Sequence, residues 1–151
     1  MDSFEAFVRL AAAMVAGGLI GANRSTHGKP AGVRLHALVA IGSALLALTF
    51  AGNADSAGRV VQGIVGGIGF LGAGVIMRAA GNTRAHQIFH LTTAATIWVT
   101  AAIGVACALV GWPLIFAAEA LILFTLVIGI RIDRAIFAKL GNEEEGGDPI
   151  D

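Results

Sequence analysis

Apolar residues in this chain do not alternate with polar ones; they gather in long runs separated by short polar stretches. Five runs approach the roughly 20 mostly apolar residues that a helix needs to cross a hydrocarbon core about 30 Å thick. They cover residues 4–22, 35–51, 60–77, 91–110 and 113–130. No acidic or basic residue occurs from Leu91 to Ala118, and Glu119 is the only charge from there to Ile130. That stretch is too long for one helix. Gly111-Trp112-Pro113 supplies the break, because proline cannot continue a helix and tryptophan favours the membrane interface. Lipid offers backbone groups no partner, so only helices or closed barrels span it. A barrel strand would alternate every second residue, which these runs do not. The pattern predicts an all-α membrane protein, a bundle of about five transmembrane helices.

Basic residues sharpen this picture. Arg24, Lys29 and Arg34 lie between runs one and two, Arg78 and Arg84 between three and four, and Arg131, Arg134 and Lys139 after run five. Eight of the ten basic residues therefore fall on one side, leaving Arg9 and Arg59 on the other. The positive-inside rule predicts an N-terminus outside and a C-terminus in the cytoplasm. The bundle is expected over residues 1–140. From Gly141 to Asp151 the chain turns acidic and glycine-rich, the composition of a disordered solvated tail.

Composition agrees with a lipid solvent: 56% of the residues are hydrophobic and 13% charged. A soluble domain carries about a quarter charged residues. Zero net charge argues against a nucleic-acid partner. The start, Met1 to Glu5, lacks the positive region of a signal peptide, so run one is expected to be retained. The single cysteine, Cys107, sits in an apolar run and reads as a small buried hydrophobe.

Gly67-Ile-Gly69-Phe-Leu-Gly72 matches the dinucleotide fingerprint literally, but no strand precedes it and no acid occurs between Asp55 and Glu119. That motif needs both, so no cofactor is expected. Gly63, Gly66, Gly67 and Gly74 instead form a helical stripe, widened by Gly69 and Gly72, and Ala13, Gly17 and Gly21 repeat the small-xxx-small spacing. Such stripes let membrane helices approach closely. They make segments one and three candidates to pack tightly in the middle of the bundle; a close ion path or an unwound segment is the alternative that glycine also permits.

Thr92, Thr96, Thr100, Gly104 and Ala108 recur every four residues. The hydroxyls either bond back to their own helix or form a polar seam facing the interior. Glu119 is an ionisable group at depth and needs a reason. It either reaches the outer interface or lies inside, protonated or paired with Arg9 or Arg59. The first loop holds Arg24 and Arg34 at the helix ends and His27 and His36 nearby; His86 and His90 share that side. These cations either set topology and touch lipid headgroups or reach inward to carbonyls or an anion. No histidine spacing matches a metal motif, so no metal site is expected. The candidate polar site comprises Arg24, Arg34, His36, Thr92, Thr93, Thr96 and Glu119.

Three stretches resemble the MgtC/SapB family: Gly21-Ala-Asn23-Arg24 with Pro30-Ala-Gly-Val-Arg34-Leu-His36 through Ser43, Gly67 through Ile76, and Leu91-Thr92-Thr93-Ala-Ala-Thr96-Ile-Trp98 through Gly104. The resemblance implies a multi-pass protein of the bacterial inner (plasma) membrane, associated with growth at low magnesium. It also implies a membrane partner, with the F-type ATP synthase membrane sector as one candidate. Family patterns usually place Glu-Arg where Asn23-Arg24 stands, Arg-Thr-His where Arg34-Leu35-His36 stands, and glycine where His90 stands. The sequence ends after run five, so the resemblance implies a short form without the soluble C-terminal domain of longer members.

With few deep charges and no catalytic constellation, the expected function is a non-enzymatic regulator. It would act through helix contacts with a membrane partner or a second copy of itself. The alternative is a small ion or solute transporter or channel.

Overall fold

The computed structural model describes the backbone of residues 1–80 and 90–145 and the side chains of residues 1–76 and 90–132. Arg84, His86 and residues 146–151 lie outside the described residues, as do the side chains of Arg78, Arg134 and Lys139. Five helices follow one another: α1 (Ser3–Thr26), α2 (Val33–Thr49), α3 (Ala54–Ala80), α4 (Leu91–Leu109) and α5 (Trp112–Glu145). Among the described residues, four are long and apolar enough to cross a membrane; α2, at 17 residues, is shorter.

Helix ends follow local chemistry. The Asp2 side chain accepts the Glu5 amide at 2.6 Å, and Glu5 pairs with Arg9 at 3.0 Å, which closes the first turn of α1. Asn53 does the same for α3 through the Ser56 amide, so that helix starts six residues before the apolar run that announced it. Pro113 stands in the first turn of α5, where its missing N–H breaks no hydrogen bond. The break at Gly111-Trp112-Pro113 is where the sequence placed it. At the other end, α5 runs through Glu145. The helix thus enters the first residues of the acidic segment, and no proline interrupts the chain between Pro113 and Pro149.

α4 is the hub and touches every other helix. α1 packs most extensively on α2, and both pack on α4. Cys107 and Ala108 of α4 cluster with Ala13 of α1 and with Ala40, Ala44 and Ala47 of α2. α3 lies on one flank, with Ile64 and Ile68 against Ile97 and Ala101. α5 lies on another, with Ile122, Leu123 and Leu126 against Ile20 and Ile103.

The expected central place fits α1 but not α3: among the described residues α3 packs on α4 and, to a lesser extent, on α2, and lies at the periphery. Its buried stripe is Ala57, Ile64, Ile68 and Gly72. Gly63, Gly66, Gly67, Gly69 and Gly74 point elsewhere, and a Cβ added at any of them meets nothing within 4 Å. Gly72 alone approaches a neighbour, with an added Cβ 3.5 Å from that of Ala94. The reason is physical: a small-residue face permits close approach without specifying which surface approaches.

The α1 glycines do pack, but on α2. A Cβ at Gly17 would lie 2.5 Å from the His36 carbonyl oxygen, and one at Gly21 would lie 2.6 Å from the Val33 Cα. Gly104 of α4 abuts the Ala40 carbonyl just as closely. Ala40 thus sits beneath two glycines, one from each neighbouring helix.

Candidate functional site

These close approaches bring polar groups of three helices together near the α1–α2 loop. Arg24, in the last turn of α1, is 3% exposed, and its Nη2 donates to Thr93 Oγ1 at 2.6 Å. Thr93 is fully buried in the first turn of α4. One turn on, Thr96 Oγ1 donates to the Thr93 carbonyl at 2.8 Å, and Thr100 Oγ1 donates to the Thr96 carbonyl at 2.7 Å. From α2, fully buried His36 places Nδ1 3.0 Å from the Gly32 carbonyl oxygen and Nε2 3.4 Å from Thr96 Oγ1. A carbonyl only accepts, so Nδ1 carries the proton and Nε2 faces the hydroxyl.

Of the residues predicted as a polar site, Arg24, His36, Thr93 and Thr96 converge. Arg34 and Thr92 do not: both are exposed. Position 34 lies two residues from His36, and on a helix residues two apart face different directions. Thr92 is adjacent to Thr93, which takes the inward position instead. Glu119 lies elsewhere, on α5, half-buried with both carboxyl oxygens out of solvent. Thr96 and Thr100 bond back to their own helix, whereas Thr93 receives a bond from another helix.

The electrostatics are lopsided. Among the described residues the single ion pair is Arg9–Glu5, at the opposite end of α1. Arg24 has no carboxylate partner there, and its Nε and the Asn23 Oδ1 are buried without a hydrogen-bond partner among the described residues. Two features escaped the sequence. Gly104 was legible as part of the threonine stripe but not as the contact for Ala40. Arg9, whose Nη1 donates to the carbonyls of Cys107 and Val110 at 2.9 and 3.2 Å, caps the end of α4 while stacking over Trp112.

The MgtC family model matches residues 10–135, which include all of this site. The chain belongs to the MgtC family. It is similar to protein MgtC of Salmonella typhimurium strain 14028s, with 47% identity over 124 residues, 82% of this chain and 52% of that protein. It is similar also to protein SrpB of Synechococcus elongatus, 42% identical over 144 residues, 87% of this chain and 78% of that protein. Protein MgtC of Brucella abortus strain 2308 is 44% identical over 100 residues, 65% of this chain and 40% of the relative. The chain thus spans about half the length of the MgtC proteins it matches. No solved structure matches it. Family membership and four helices of membrane-crossing length make this a membrane protein of the MgtC family.

His90 takes φ 67° as it enters α4, in the left-handed region, where glycine is unstrained and other residues are not.

Proposed function

We propose that this protein serves adaptation to low magnesium in the bacterial inner membrane as a non-enzymatic regulator that contacts a membrane partner through α3. The observation carrying this reading is the open glycine face of α3. Among the described residues, Gly63, Gly66, Gly67 and Gly74 stand clear of every neighbour on a helix apolar enough to cross a membrane. Association in lipid relies on close backbone approach, and this face leaves that approach unused within the chain. The F-type ATP synthase membrane sector is the first partner to test.

Gly67→Leu separates contact from folding, because the added side chain starts in open space. In a strain lacking its own family member, wild type restores growth in limiting magnesium. Gly67→Leu, inserted at equal level, does not. Equal growth with both would refute the contact reading.

One observation favours transport as a second reading: the buried Arg24–Thr93–Thr96–His36 cluster is a polar path in part. Arg24 without a carboxylate places a positive barrier across it, which disfavours cations. Proteoliposome uptake abolished by Thr96→Val would promote this reading over the regulator.

A further inference from the structure

α5 turns one narrow stripe toward the bundle. Ile115 belongs to the cluster containing Ala13, Cys107 and Ala108, and Ile122, Leu123 and Leu126 pack around Ala16, Ile20 and Ile103. Glu119 lies one turn after Ile115 and one turn before Leu123, on the same stripe. Both carboxyl oxygens are buried, and neither has a hydrogen-bond partner among the described residues. Seven residues beyond Trp112, at about 1.5 Å each, place Glu119 roughly 10 Å down the helix.

Among the described residues, neighbouring elements offer no compensating charge. α1 carries Glu5, Arg9 and Arg24, with Asp2 at its cap. Arg9 bonds to Glu5 and to the carbonyls of Cys107, Ala108 and Val110. Arg24 bonds to Thr93 at the far end of the helix. α4 contains no Asp, Glu, Lys, Arg or His, and its one titratable side chain is the Cys107 thiol. Arg131, on α5 itself, is three turns away and exposed. Arg59 is on α3, which makes no contact with α5 among the described residues, and it bonds to Ser56. A buried carboxylate with neither cation nor donor is costly, whereas a protonated carboxyl is neutral. A lone carboxyl also falls short of the several oxygen ligands that magnesium takes.

We propose that Glu119 is a proton-binding site: the bundle holds it as a neutral carboxylic acid where α1, α4 and α5 meet. This inference is independent of the α3 contact.

Infrared spectroscopy of the purified full chain in lipid at pH 7 tests it. The wild type is expected to show the C=O stretch of a protonated carboxyl, shifting down in D2O, and Glu119→Gln is expected to lose it. A wild-type spectrum without that band, or a band unchanged in Glu119→Gln, overturns the proposal. A second measurement needs no variant. Dicyclohexylcarbodiimide partitions into lipid and takes up a protonated carboxyl: the acid proton moves to a carbodiimide nitrogen and the oxygen bonds the central carbon. The acyl group then migrates to nitrogen, leaving a stable N-acylurea with no leaving group. Peptide mass mapping is expected to place one adduct on Glu119. Adducts confined to other carboxyls overturn the proposal.

Discussion

Gly17→Ala tests whether helix spacing at Ala40 holds the bundle together. The added Cβ would lie 2.5 Å from the His36 carbonyl oxygen and 2.7 Å from the Ala40 Cβ. Ordinary contacts need about 3.5–4.0 Å, so α1 and α2 must separate by about 1 Å or distort. A gap of about 0.5–1 Å forfeits a quarter to a half of each dispersion contact along the interface. Overpacking of this kind costs about 1–3 kcal/mol. Alanine also gains up to about 1 kcal/mol of helix propensity over glycine, which would mask part of the loss. Gly42→Ala in α2 removes that ambiguity, since its Cβ meets nothing within 4 Å and the propensity gain is shared. Reversible unfolding in mixed micelles is expected to place Gly17→Ala about 1–3 kcal/mol below Gly42→Ala, a 5- to 150-fold shift in the folding equilibrium. Equal stability of the two would refute the claim that α1 and α2 are packed to their limit.

Three further outcomes follow from the polar cluster and the loops. Thr93→Val removes the oxygen that Arg24 Nη2 reaches. It is expected to cost about 1.5–3 kcal/mol, as for hydrogen bonds to charged groups, with most of that absent in an Arg24→Met background. Thr100→Val deletes a hydroxyl that serves only its own helix and is expected to cost under about 1 kcal/mol; a larger loss would reveal an interhelical role. At the left-handed position 90, His90→Val should be less stable than His90→Gly by about 1–2 kcal/mol, measured by the same unfolding assay.

The five helices were legible because hydrocarbon thickness and backbone satisfaction leave a chain few options. The Gly111-Trp112-Pro113 break shows how local that information is. Helix starts were less legible. The Asn53 cap extends α3 into polar sequence, where apolar content gives no signal. Of the polar site, Arg24, His36, Thr93 and Thr96 were legible as residue types needing partners. Their rotation about the helix axis was not: Thr92 and Thr93 are adjacent, and packing chose the second. The α3 glycines failed as a guide for a related reason, since absent side chains describe a surface and not its occupant.

Ala40 carries one more implication. Its methyl faces Gly17 on one side and its backbone faces Gly104 on the other, so one residue gauges the spacing of two interfaces at once. Sliding of either α1 or α4 over α2 would have to pass the same residue, like two plates on a common pin. Any displacement of α4 by a neighbour reaches α1, and with it Arg24, without passing through a flexible segment.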